Sequence, residues 1–402
     1  MSGNITEELI FETQIHKSYS NREQRMALRP KPRRVMTFDY IALKAWQSQY
    51  LRQVAYAKQT EAIKVPLWFA AYETEDTIPE GATMVNVSKE MLWQYRDIGN
   101  VVLWYSDEFG GNYYKMRNLA IDGTIQLDKR TTLTWPAKKT IILPVAWATL
   151  KQEGNYNMTT SVVGDTKLSY EFLVDYDAPE QLTAYDEYHD ESFNLFWGKG
   201  IPNYYKGYEV FMTPPSWTKD IASSFSRNAK RLDNDTGIFK YDLRSNDPSE
   251  TLDIEYVGLS RPEINNLQRF FTRCRGCWKS FYAPSWFNDF ELLQDALPGQ
   301  QFFYAKWPLY FKYYTGTQKK TLAVFLRNGE GFLLEVAGYA MDSNEQYGKI
   351  YLDSVLKRPL KCDDIQMISF LNKYRHDNDT MTTDYDSQAV ATTSFKFAEV
   401  ID

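Results

Sequence analysis

The sequence holds only three histidines and three cysteines in 402 residues. Histidine is the commonest acid, base and metal ligand near neutral pH, and here His16, His189 and His376 lie far apart along the chain. His376, in Tyr374-Arg375-His376-Asp377, reads as a turn residue rather than a base. Cys274, Cys277 and Cys362 are too few for a disulfide scaffold and suit a reducing compartment. The phosphate-loop, dinucleotide, hydrolase-elbow and zinc-protease signatures are all missing. The most apolar stretch, Thr140 to Leu150, contains Pro144 and is far too short to cross a bilayer. Met1 to Glu8 has neither the basic start nor the apolar block of a signal peptide. The expectation is a protein made and kept in a cytoplasm, with no membrane insertion, unless something other than the secretion machinery exports it.

Basic residues number 46 against 52 acidic ones, a net charge of −6. That balance disfavours nucleic-acid binding through a basic surface. Aromatic residues are abundant instead: 29 Tyr, 23 Phe and 11 Trp, or 16% of the chain. Tyr and Trp supply large rigid area with a polar tip, the kind of surface used between proteins.

Internal similarity runs through the chain. Ala27-Leu28-Arg29 recurs as Asp242-Leu243-Arg244, and Phe38-Asp39-Tyr40 as Ile254-Glu255-Tyr256. Leu51, Val54 and Ala55 correspond to Leu267, Phe270 and Phe271. Further on, Thr124 to Asp128 matches Lys349 to Asp353, Met158-Thr159-Thr160 matches Met381-Thr382-Thr383, and Ser169 to Phe172 matches Ser394 to Phe397. The offset drifts by a few residues only, as short loop insertions between two copies would make it. The expected units are 1–178 and 205–402, joined by an acidic, Tyr-rich linker over 179–204.

Ser260-Arg261-Pro262-Glu263 is a capping box with Pro in the first turn, followed by Ile264, Leu267, Phe270 and Phe271 on one helical face and stopped by Gly276. The counterpart over Lys44 to Lys58 keeps the face without the box. Short alternating runs predict strands at Val35–Leu43, Val101–Tyr105, Ile121–Leu127, Lys167–Val174, Thr251–Val257, Lys349–Asp353 and Thr392–Val400. The fold class is therefore mainly β with one helix per repeat, as two tandem antiparallel barrels or sandwiches.

Local chemistry is sparse. Cys274-Arg275-Gly276-Cys277 has the spacing of half a zinc or redox site, but no further ligands flank it, and closure of a helix by small apolar residues is the simpler use. The run Asp186 to Ser192 lacks the glycine and ligand spacing of a calcium loop. One basic cluster stands out, formed by Arg22, Arg25, Arg29, Lys31, Arg33 and Arg34 where a strand pair is expected. It could meet phosphate, although an acidic surface on a neighbouring subunit suits it better in a net acidic chain. Tyr40 with Tyr256 and Trp68 with Trp286 are repeat-equivalent aromatics, readable as interface anchors or as core.

Glu12-Thr13, Ser20-Asn21-Arg22-Glu23-Gln24-Arg25 and the run to Arg33-Arg34 resemble the N-terminal signature of tail-tip proteins of long-tailed bacteriophages, the distal tail and baseplate-hub group. Arg261-Pro262-Glu263-Ile264, Phe270-Phe271, Gly276 and Phe281-Tyr282-Ala283-Pro284-Ser285-Trp286 extend the resemblance, as do Ile368 to Leu371, Arg375, Asp379 and Phe395 to Val400. It implies tail-tube-like β-barrels with a helix, assembled as a ring at the distal end of a tail in the virion. Such a ring connects the tail tube to other tail-tip proteins and lets DNA pass without sequence-specific binding. Neither a cofactor nor a catalytic residue is implied. In such rings the arginine-rich strand pair would dock on a neighbour. Two copies in one chain would let a trimer satisfy a sixfold tube, with a homohexamer as the alternative. A carbohydrate- or receptor-binding module is the competing expectation, because exposed Trp and Tyr also stack sugars.

Overall fold

Alternation of apolar and polar residues dominates the chain, and strands follow from it. In a computed structural model the described residues are 4–95, 98–105, 110–151, 155–173, 198–233, 235, 237–245, 247–306, 310, 313–314, 316–341 and 347–401. Most of the expected linker and the whole run Asp186–Ser192, His189 included, lie outside them.

Leaving aside three strands of two residues each, the first half contributes twelve strands among the described residues. These are β1 Ile5–Ile10, β2 Thr13–Lys17, β3 Glu23–Ala27, β4 Arg33–Ala42, β5 Ile63–Pro66 and β6 Met84–Asn86. There follow β7 Asn100–Tyr105, β8 Gly110–Leu119, β9 Thr124–Leu127, β10 Thr140–Leu150, β11 Asn155–Met158 and β12 Gly164–Phe172. Helix α1, Ala45–Ala57, follows β4. The second half also supplies twelve: β13 Ala222–Ser226, β14 Ala229–Asp233, β15 Phe239–Leu243, β16 Ser249–Gly258, β17 Phe281–Pro284 and β18 Phe302–Ala305. They continue with β19 Thr321–Leu326, β20 Gly331–Met341, β21 Gly348–Leu352, β22 Ile365–His376, β23 Thr380–Tyr385 and β24 Ala391–Glu399. Helix α2, Arg261–Cys274, follows β16.

Each strand pairing of the first half recurs in the second with strand numbers raised by twelve. Thus β4 pairs β1 and β12, while β16 pairs β13 and β24. Strand β10 is flanked by β12, β5 and β7, and β22 by β24, β17 and β19. The ladder β7–β8–β9–β6 reappears as β19–β20–β21–β18, and the hairpins β2–β3 and β11–β12 as β14–β15 and β23–β24. Registers agree too: Phe38 faces Leu168, and its counterpart Ile254 faces Phe395.

Among the described residues one strand pairing joins the halves. Strand β1 lies between β4 and β23, so Thr6 faces Thr37 on one side and Asp384 on the other. The cores are shared accordingly. Leu9 and Phe11 join the Phe270, Phe281 and Phe397 cluster, while Ile264, Tyr385 and Ala391 join the Phe38, Leu67 and Tyr170 cluster. Each of the larger apolar side chains among them, Leu9, Phe11 and Ile264, contributes roughly 1.5–3 kcal/mol by leaving water.

Several expectations are corrected. The described strands close no barrel within the chain; they form large antiparallel sheets joined across the halves. A third, four-residue helix, Leu92–Tyr95, stands beside the two expected ones. Helix α2 starts at Ser260, whose hydroxyl accepts from Glu263 N, and ends on left-handed Arg275 before Gly276. Helix α1 does have half a box, since the Gln47 side chain accepts from Lys44 N at 3.0 Å. His376 is no turn residue: it ends β22, buried against Phe271 and Phe395 at 4.9 and 5.0 Å between rings. Among the described residues no helix is long and apolar enough to cross a membrane.

Candidate functional site

Eight strands form one continuous antiparallel run in the order β13, β16, β24, β23, β1, β4, β12, β11. Because side chains alternate across a strand, one face of this run carries Leu9, Phe38, Tyr170, Ile254, Met381 and Phe395 into the cores. The opposite face carries Thr6, Thr37, Ser169, Ser224, Thr251, Thr382, Thr392 and Ser394. Between them stand the carboxylates Glu8, Asp39, Asp165, Glu171, Asp253, Glu255 and Asp384, against the cations Arg33, Lys167 and Lys396. No aromatic residue lies on that face of these strands, in a chain that is 16% aromatic. Ile10, Val35, Ile41 and Val257 also lie on this face, but hydroxyls and carboxylates outnumber them and keep it hydrated. It repels a polyanion and offers no ring on which a base could stack.

The packed side is locked by buried polar groups where the halves meet. The Arg34 guanidinium pairs with the Glu7 carboxylate, and both are buried. Arg34 also donates to Gln94 at 2.9 Å. Glu7 accepts from Gln268 at 2.8 Å and from the Tyr385 hydroxyl at 2.7 Å. From α2, Arg261 donates to Phe69 O, Asn265 to Glu90 O, and Gln268 accepts from the Trp93 indole. The corresponding position in the second half carries the opposite charge: Glu250, the counterpart of Arg34, pairs with Lys319 at 2.8 Å and accepts from Ser223, the counterpart of Glu7.

The β2–β3 hairpin docks on the second half of its own chain. Asp379 accepts from Thr13 N, the Thr13 hydroxyl and Cys277 N. Arg375 donates to Glu23 at 2.7 and 2.9 Å. Burial opposes ionisation of Glu23, yet the Arg375 and Lys17 contacts hold its carboxyl below the usual range. Burial and the neighbouring Arg375 charge push His376 down to about 3. Burial likewise raises both Cys274 and Cys277, the latter to about 12, so neither thiol at this helix end is disposed to ionise.

The arginines expected at a subunit interface are largely spent inside the chain. Arg25 donates to Cys277 O at 3.3 Å and Ser280 Oγ at 2.6 Å, Arg29 pairs with Glu12 at 2.8 Å, and Arg33 stands 3.5 Å from Glu171. Arg34 is 1% exposed and cannot reach another molecule. Arg22 is exposed. Of the aromatic anchors, Tyr256 and Trp286 are core residues, Trp286 stacking on Phe325 at 5.5 Å. Tyr40 and Trp68 are half-buried, Trp68 lying edge-on to Trp104 at 5.9 Å. What the composition missed was the largely polar sheet face, whose signal is Ser, Thr, Asp, Glu or Lys at most alternate positions of β12, β16 and β24, joined on β4 by Thr37 and Asp39 between Val35 and Ile41. Compared with known proteins, the chain matches no family model and no curated sequence.

Proposed function

We propose that the chain is a structural virion protein: two tandem tube-like repeats that assemble as a ring at the distal end of a phage tail, between tube and tip. The open sheet face lines the channel, and DNA passes without being held. No catalytic step is involved. One observation carries this reading: an eight-stranded sheet made of two equivalent sets, mostly polar and free of aromatics on one face, with both outer strands left unpaired on their far sides among the described residues.

Three copies would bring 24 strands into one circle. At about 4.8 Å per strand that circle is roughly 37 Å across between backbones, and wider if the strands tilt, which leaves room for a duplex. Two repeats per chain give a trimer pseudo-sixfold symmetry, matching a sixfold tube with three contacts of each kind. The mass of the purified particle and a low-resolution image test the reading. A trimer with a central hole supports it, six chains return a homohexameric ring, and a stable monomer rejects both.

A further inference from the structure

The junction between the halves is made once inside the chain, and its counterpart lacks a partner at four places. Strand β1 pairs with β23, while their counterparts β13 and β11 each have one free side among the described residues. Helix α2 has twelve of its fourteen residues buried, whereas Ser48 is the one buried residue of α1. The β2–β3 hairpin is docked, whereas β14 and β15 are exposed along their whole length.

The fourth place is a groove. In the first half Leu9, Pro32, Trp93 and Gln94 are covered by Gln268 and Thr272 of α2, leaving a void of about 10 Å³. In the second half the counterparts of Leu9 and Pro32 are Phe225 and Pro248, and with Tyr313 and Tyr314 they line an open groove of about 230 Å³. The α1 residues corresponding to Gln268 and Thr272 are Arg52 and Tyr56, and Tyr56 is 86% exposed. An unfilled groove and an exposed side chain at equivalent positions are complementary halves of a contact that this chain already makes with itself.

From this we infer that copies of the chain join head to tail by repeating the internal junction between molecules. Strand β13 of one copy pairs antiparallel with β11 of the next, whose α1 lays Tyr56 into the Phe225–Pro248 groove. The occupant is a second copy, because a heterologous partner would have to reproduce both the strand edge and the helix that the first half carries. The register is fixed by equivalence: Thr6 faces Asp384 inside the chain, so Ala222 faces Asn157 between chains. Repeated contacts of this head-to-tail kind close into a ring or run on as a filament. The inference rests on the ring assembly proposed above and adds the surfaces that form it.

Both Ala222 and Asn157 are exposed, so cysteines there leave the fold intact. In a Cys362→Ser background, Ala222→Cys with Asn157→Cys is oxidised mildly and run on a denaturing gel without reductant. A ladder ending at a closed trimer, collapsed by reductant and limited to dimers in each single-cysteine variant, is the expected result. Assemblies that form without any such ladder overturn this junction and leave the ring reading standing. A chain that neither assembles nor cross-links overturns both.

Discussion

Thr272 and Tyr56 occupy the same position of equivalent helices, yet Thr272 is 1% exposed and Tyr56 86%. The difference lies in the neighbour, not in the helix: α2 is covered by the first half of its own chain, and no described residue covers the same face of α1. If a second copy covers it, Tyr56 is a central aromatic anchor of the contact. Tyr56→Ser is then expected to weaken each junction by about 2 kcal/mol, roughly thirty-fold in the dissociation constant. Sedimentation over a range of concentrations reads this, and the melting temperature of the isolated chain should stay within a degree or two. Unchanged assembly would remove Tyr56 from the contact.

The Glu7–Arg34 pair gives a test inside the chain. Removing one partner leaves an uncompensated charge between the halves, so Glu7→Leu should destabilise the fold by about 3–5 kcal/mol in denaturant titration. The double variant Glu7→Leu with Arg34→Met removes both charges and should recover much of that loss. A double variant as unstable as the single one would mean that the hydrogen bonds from Gln268 and Tyr385, rather than the ion pair, dominate the site.

How much of this was legible depends on what fixes register. Tyr40 with Tyr256 and Trp68 with Trp286 are equivalent by strand pairing as well as by sequence, because buried neighbours such as Phe38 and Ile254 pin those segments. The matches of Ser169 to Ser394 and of Met158 to Met381 are displaced by two and four residues from the pairing registers, where Lys167 corresponds to Ser394 and Tyr156 to Thr383. An even displacement keeps every side chain on its own face, so alternation cannot detect it. Matching Ala27-Leu28-Arg29 to Asp242-Leu243-Arg244 is off by one, in hairpins with little core to hold them. The joining of β1 to β23 had no sequence signal, since backbone ladders carry none. The arginine cluster announced a need for carboxylates but not that Glu7, Glu12 and Glu171 of the same chain would meet it.

Acid should remove the stability that buried, neutral His376 contributes. His376 is neutral in the folded chain down to about pH 3, while in the unfolded chain it takes up a proton near its ordinary value of 6.5. Between those limits the unfolded state binds more protons, so this group's contribution to stability is full above pH 6.5 and is lost as pH falls toward 3. Its Nε2 has no hydrogen-bond partner among the described residues, and its ring sits among Phe270, Phe271, Phe281, Phe395 and Phe397. His376→Phe should therefore flatten the fall in stability between pH 6 and 4 relative to the native chain, measured by unfolding at each pH. Parallel curves for the two proteins would show that other groups carry the acid sensitivity.

The open sheet face makes a prediction about what does not bind. Asp165, Asp253 and Asp384 are exposed on it: Asp384 faces Thr6 and Thr392, Asp165 faces Asn157 and Ile41, and Asp253 faces Ala222 and Lys396. A channel that passes DNA needs a wall with no net positive charge to hold the phosphates and no ring to stack on the bases, and on this face seven carboxylates outnumber three cations. The native assembly should accordingly leave duplex DNA unbound at low salt. Replacing all three by Lys changes the face by six charges per chain and should create binding whose logarithm falls linearly with the logarithm of salt concentration. Surface changes of this kind move stability little, so a folded variant is expected. Filter binding of native and variant assemblies reads the difference. Tight binding by the native protein would contradict a passive channel wall, and a variant that still ignores DNA would mean that this face is not the one a duplex meets.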